Sequence, residues 1–294
     1  MRLLRRSVLF GAVITSFAAI AAPAFGATSY VSPNGVAMFM GTSCTFPSSN
    51  TIQAAVTAAS PGDTIIVCDG TYQETVTVNK NLSLLGSGNS VIQLPNNIVP
   101  DQDLVVFTGP ISADMSGFIV RGPQTAPVQC GGNVNAGIRV RDGATLQLES
   151  TSIRDLRNQP LEGCQNGEGI RVGARGGVGA PGHLIADNVT VSRSQKNGIT
   201  VDGAGTTAKI TNTTVTGSGA TSAIAQNGIQ VSRGAKATIS TSTIRDHVYT
   251  PKSFVACGLL VFDANGVNDD NNVYLNNEKD KCISSRGGTW EGAP

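Results

Sequence analysis

Five short segments of the chain repeat one pattern of apolar and polar positions. They are Gly137-Ile138-Arg139-Val140, Gly169-Ile170-Arg171-Val172, Gly198-Ile199-Thr200-Val201, Gly228-Ile229-Gln230-Val231 and Gly258-Leu259-Leu260-Val261. Their glycines stand 32, 29, 30 and 30 residues apart by subtraction. Alternation in an extended strand puts the Ile or Leu and the Val on one side and the third residue on the other. Ile199 and Ile229 are therefore core positions, and Arg139, Arg171, Thr200, Gln230 and Leu260 form an outward ladder.

A turn follows each of these strands, as in Asp142-Gly143-Ala144, Asp202-Gly203-Ala204 and Arg233-Gly234-Ala235, then a second strand, a polar turn and a third strand. Three short strands cannot bury one apolar side alone, so the unit must stack on copies of itself. A sandwich or barrel does not require one residue type to return at the same place in every period. Here the polar turn repeats Asn188, Asn212 and Asn272, with Ser150 and Thr241 in the same slot. Asn tolerates left-handed backbone angles, so an Asn ladder suits a sharp bend. The pattern predicts an all-β solenoid over residues 51–285, opened by a short amphipathic helix containing Ala54, Ala55 and Ala58.

Composition agrees with short strands and tight turns: 35 glycines and 14% charged residues. Arg2, Arg5 and Arg6 precede an apolar run over residues 7–22 and then Pro23-Ala24-Phe25-Gly26, the layout of a secretory signal peptide ending at Gly26. The run is too short for a membrane span, and the residues after Arg5-Arg6 do not complete a twin-arginine signal. The expected division is a signal peptide over 1–26, an extension over 27–50, the solenoid over 51–285 and a tail over 286–294. A soluble, secreted protein follows, extracellular or periplasmic. Six cysteines without a CxxC pair favour disulfides over zinc. A net charge of +1 without a basic stripe argues against nucleic acid as a partner.

The segments Thr51-Ile52-Gln53-Ala54-Ala55-Val56-Thr57-Ala58-Ala59, Pro61-Gly62-Asp63-Thr64-Ile65-Ile66-Val67, Gly70-Thr71-Tyr72-Gln73-Glu74 and Leu82-Ser83-Leu84-Leu85-Gly86 resemble the first turns of pectin lyase-like right-handed parallel β-helix proteins. The resemblance implies that the helix caps the N-terminal end of the coil. It also implies a substrate groove along the first strand of each coil, walled by the loops over 155–168, 192–197, 217–227 and 246–257. On that reading Arg171 with Glu168, and Asp246 with His247, are the catalytic candidates. Arg139, Thr200, Gln230, Arg157 and Tyr249 are the substrate-binding candidates. Arginines and carboxylates over a groove suit uronate groups, and the carboxylates suit Ca2+, although no set of metal ligands can be assigned.

Several family signatures are missing. Gly70-Thr71-Tyr72-Gln73-Glu74 resembles the first block of pectin methylesterases, but their later paired aspartates have no counterpart. The Tyr-Gly-x-Asp-Pro-His signature of alginate epimerases and the paired aspartates of polygalacturonases are absent. One tryptophan, Trp290, leaves few aromatic platforms for sugar. His183 follows a Gly- and Pro-rich insertion over 173–182, where Gly176-Gly177-Val178-Gly179 lacks the lysine of a phosphate loop and reads as a flexible surface excursion. Three readings remain: a monomeric protein that binds an acidic polysaccharide or cell-surface glycan, a polysaccharide lyase or epimerase, and a structural cell-surface display protein.

The coil also predicts how the cysteines pair. It rises about 4.8 Å per turn, so residues one period apart become neighbours while those several periods apart exceed disulfide reach. The expected bridges are Cys44–Cys68, Cys130–Cys164 and Cys257–Cys282.

Overall fold

The computed structural model describes residues 26–284 except 40, 97–101, 126–129, 131, 133 and 265. The signal peptide up to residue 25, the tail over 286–294 and Trp290 lie outside the described residues. Eight parallel strands form the first face: Val76–Val78, Val105–Thr108, Ala136–Arg141, Glu168–Gly173, Asn197–Asp202, Asn227–Ser232, Cys257–Phe262 and Lys279–Ser284. A second sheet wraps the other two faces. One carries Thr145–Glu149, His183–Asp187, Thr207–Thr211 and Lys236–Ser240; the other carries Ser152–Arg154, Thr190–Ser192, Thr214–Thr221 and Thr243–Tyr249. Three-sided coils stacked in parallel are the predicted solenoid.

Register explains why the repeat folds this way. Ile138, Ile170, Ile199, Ile229 and Leu259 occupy one inward column, and Val140, Val172, Val201, Val231 and Val261 the next. The four isoleucines are fully buried, and each fully buried aliphatic side chain stabilises the stack by about 2 kcal/mol. Between these columns, on the opposite side of the sheet, Arg139, Arg171, Thr200, Gln230 and Leu260 stand in register as one ladder.

The polar bend takes a left-handed backbone at Ser150, Asn188, Asn212, Thr241 and Asn271, with φ between 45° and 53°. The last member is Asn271, a correction to the expected Asn272. Pairing of Ile244 with Tyr274 fixes the register, and Asn272 turns inward instead. Its Nδ2 donates to the Ile239 carbonyl and its Oδ1 accepts from Ser242 N, both at 2.8 Å. Two consecutive asparagines cannot be told apart by pattern, whereas the hydrogen-bond ladder distinguishes them.

At the N-terminal end, Thr28–Val31 pairs in parallel with Thr64–Val67, and the helix Ile52–Ala58 closes the coil. Thr51 caps the helix by accepting from Ala54 N. Glu74 accepts from Ile52 N and Gln53 N, both at 2.8 Å, and Lys80 Nζ donates to the carbonyls of Val56, Thr57 and Ala59. A carboxylate at the helix start and an ammonium at its end satisfy the free backbone groups there and oppose the helix dipole. The Gly70–Glu74 motif thus serves the cap, with the Tyr72 hydroxyl 3.0 Å from the carbonyls of Val31 and Cys68.

The last described coil turns polar. Asp269, Tyr274 and Lys281 occupy the columns that Ile239, Ile244 and Leu259 fill one coil earlier. Lys281 pairs with Asp269 at 2.5 Å, and the Tyr274 hydroxyl donates to Asp269 at 2.9 Å. Inward charges discourage a further strand from docking. The three disulfides form as expected, with Cα–Cα distances of 5.7, 5.0 and 6.0 Å.

Candidate functional site

The outward ladder carries most of the chemistry on the first face, yet it is not an open groove. Arg139 and Arg171 project away from the core but are each only 7% exposed. The expectation of a solvent-lined groove is corrected here, whereas the excursion over 173–182 lies on the surface as expected, with Val178 85% exposed. Arg175 belongs to the turn Arg175–Gly177, beyond the C-terminal end of the Glu168–Gly173 strand. Its guanidinium nevertheless bonds Asn166 Oδ1 at 2.5 Å and Asn135 Oδ1 at 3.4 Å. Both asparagines precede the N-terminal ends of their strands. A six-residue strand spans roughly 17 Å, far beyond the reach of one arginine side chain. Arg175 therefore reaches back along the first face, while Gly177 lies against Gly203 and Arg233.

The first face also carries a charged centre. Glu168 Oε1 accepts from Arg171, whose other terminal nitrogen stands 3.8 Å from Asp202. Asp202 also accepts from Ser232 Oγ and from Arg233, each at 2.8 Å. Arg139, Arg171, Glu168 and Asp103 are close enough to act on one another electrostatically. Burial pushes the Asp103 carboxyl up despite the opposing pull of Arg139, Arg141 and Arg171. Burial also pulls the Arg139 guanidinium down. Three atoms in this cluster are shielded from solvent without a hydrogen-bond partner: Arg139 Nε, Asp103 Oδ1 and Glu168 Oε2. Such groups cost about 1–3 kcal/mol each, more when charged.

Further along, the ladder satisfies itself. Asn197 Nδ2 donates to Thr200 Oγ1 and Gln230 Oε1 at 3.0 Å, Asn227 donates to Asn197, and Gln230 Nε2 donates to Ser232 Oγ. Thr200 and Gln230 are thus placed on the expected face with their polar groups already engaged. At its end the ladder turns apolar, where Leu260 packs with Val255 and the Cys257–Cys282 bridge.

The remaining candidates do not converge on the centre. His247 stands on the Thr243–Tyr249 strand, 2% exposed, and not on a solvated loop as expected. Burial lowers its pKa to about 4. Asp246 turns away into an ion pair with Arg245 at 2.6 Å; burial would raise its carboxyl, but Arg245 and Asn276 together hold it below the ordinary range. Tyr249 faces Phe254, with ring centroids 6.4 Å apart. Arg157 Nε lies 3.8 Å from Asp155. Among the described residues no group of three or more His, Cys, Asp or Glu is arranged to hold a metal ion, and no helix is long and apolar enough to cross a membrane.

Two groups at this centre escape a reading of the repeat. Asp103 lies outside the five repeated segments. Lys196 immediately precedes the Asn197–Asp202 strand, and its Nζ donates to the Ala225 carbonyl at 2.7 Å. Burial lowers the Lys196 ammonium, with Glu168 pulling the other way.

Protein-family models and curated proteins provide no match to this sequence. Among solved structures, the chain is similar to the pectate lyase Pel9A, with 16% identity, a TM-score of 0.54, and coverage of 91% of this chain and 80% of that one. It also aligns with an alginate lyase from Paenibacillus sp., with 14% identity, a TM-score of 0.43, and coverage of 86% and 99%. A pectin methylesterase in complex with a hexasaccharide aligns with 12% identity, a TM-score of 0.43, and coverage of 81% and 89%. By fold, the protein is a right-handed parallel β-helix.

Proposed function

We propose that this protein is secreted and binds an acidic polysaccharide on its first face, with the acidic unit at Arg139 and Arg171. The observation that carries the reading is Arg139: a guanidinium 7% exposed whose Nε has no partner. A stable fold retains such a group at a cost, and a carboxylate ligand would offset it through a charge-assisted bond. The three disulfides suit an oxidising compartment. The test is a binding screen of polygalacturonate, alginate and neutral glycans at rising salt. Binding confined to the acidic glycans, weakened by salt and lost in Arg139→Ala, is the expected outcome. A screen without salt-sensitive binding overturns the reading.

One observation favours a catalytic variant of the same site. Lys196 Nζ donates to the Ala225 carbonyl at 2.7 Å, and burial lowers its ammonium against the pull of Glu168; a lysine acting as base beside an arginine-held carboxylate would remove the α-proton of a uronate. Release of unsaturated product, detected by ultraviolet absorbance and abolished in Lys196→Ala, would establish lyase chemistry.

A further inference from the structure

We propose that Asp63 is the binding site for the chain's own processed N-terminus: hydrolysis of the Gly26–Ala27 peptide bond leaves an α-ammonium on Ala27 that pairs with the Asp63 carboxylate. The proposal rests on the secretion reading above and adds the residue that begins the mature chain and the group that receives it. In the uncut chain Ala27 N already donates to Asp63 Oδ1 at 2.7 Å, and the Ala27 carbonyl accepts from Thr64 N at 2.8 Å. The strand Thr28–Val31 starts at the next residue, with Thr28 in register with Thr64. Its last residue, Val31, is fully buried in the core. Position 27 is therefore where the chain joins the stack.

The receiving carboxylate is held in place before any cut is made. Asp63 ends the turn Ser60-Pro61-Gly62-Asp63, in which Gly62 takes φ 94° and Asp63 N donates to the Ser60 carbonyl at 3.1 Å. Asp63 Oδ2 accepts from Ser60 N at 2.8 Å, which directs Oδ1 to Ala27. The uncut chain is crowded at this point, since a side chain at Gly26 would run into the Gly62 carbonyl. The small residues Ala24 and Gly26 suit a signal peptidase. Water adds across the peptide bond, Gly26 leaves with the leader as a carboxylate, and the acid's proton passes to the freed amine, which is charged at neutral pH. An amide hydrogen bond thereby becomes a charge-assisted one. A start at Thr28 would remove the nitrogen that Asp63 holds, and a start at Gly26 would leave it an amide.

The experiment expresses the full chain in a secreting bacterial host and compares wild type with Asp63→Asn, which keeps an acceptor and removes the charge. N-terminal sequencing of the exported protein should begin at Ala27. NMR titration of the Ala27 α-amine, followed through its carbon shifts, should find the ammonium about tenfold less acidic in wild type than in Asp63→Asn, the effect of one adjacent opposite charge. A hydrogen bond that serves structure alone would give equal acidity in the two proteins, and that result overturns the ammonium site while secretion stands. A first residue other than Ala27 overturns the assigned start. Retention of an uncut chain inside the cell overturns the proposal together with the secretion reading.

Discussion

His247 should contribute a distinct share of this protein's destabilisation by acid. Its ring is packed against Gly217 and Gly228. Asn277 Nδ2 donates to the Ile244 carbonyl at 3.0 Å, which orients Asn277 Oδ1 toward His247 Nδ1 at 3.1 Å. The neutral imidazole with its proton on Nδ1 satisfies that contact. Protonating the other nitrogen would bury a charge in a crevice also lined by Lys196. Burial outweighs the Asn277 contact and Asp246, which favour the charged form, and the pKa falls from 6.5 to about 4.

The sign follows from linkage. Between those values the unfolded chain binds a proton that the folded chain refuses, so stability is complete above about pH 6.5 and declines toward pH 4. The gap corresponds to about 3 kcal/mol in full, of which about 2 kcal/mol is lost between about pH 7 and about pH 5. Urea unfolding at those two pH values measures it, with His247→Gln as the non-titrating control. Other acidic groups titrate in both proteins, so the difference between their pH slopes isolates the histidine. Identical slopes, or an imidazole that titrates near its ordinary value by NMR, would refute the reasoning.

Replacement of Ile199 or Ile229 by Asp should abolish cooperative unfolding, because each would place a carboxylate in a fully buried column; a retained thermal transition in both would contradict the register. The two ladder arginines should behave differently. Arg171→Ala strands Glu168 and weakens the hold on Asp202, for a loss of about 3 kcal/mol. Arg139→Ala, with no hydrogen bond at Nε to lose, should leave the denaturation midpoint nearly unchanged. Equal losses in calorimetry would show that the partner assignment is wrong. Converting Cys257 and Cys282 to Ser should cost about 3 kcal/mol through the 25-residue loop they close, measurable as a lower urea midpoint.

Much of the fold was legible because a solenoid writes the same local instruction in every period. Alternation assigns Ile138 through Leu259 to one column and Arg139 through Leu260 to its opposite, and stacking places equivalent residues side by side. The disulfide pairing follows from the same regularity, since residues one coil apart are neighbours. Where the repeat ends, pattern reading weakens: Asn271 and Asn272 look alike, and only the ladder hydrogen bonds decide which one bends.

The candidate site was legible in part, as the identity of the ladder and the nearness of Glu168 to Arg171. The contact of Arg175 with this face was not. Arg175 meets Asn135 across 40 residues, a separation set by the path of an insertion rather than by the period. Asp103 and Lys196 reach the centre from outside the repeated segments, and His247 is buried because Gly217 and Gly228 leave room for its ring. The sequence alone determined the coils, their core columns, their covalent links and the residues on the outward ladder, because each depends on short-range alternation and a constant period. Tertiary structure alone decided which groups on that ladder are covered and which polar atoms lack partners, because burial and pairing depend on where irregular loops return to the stack.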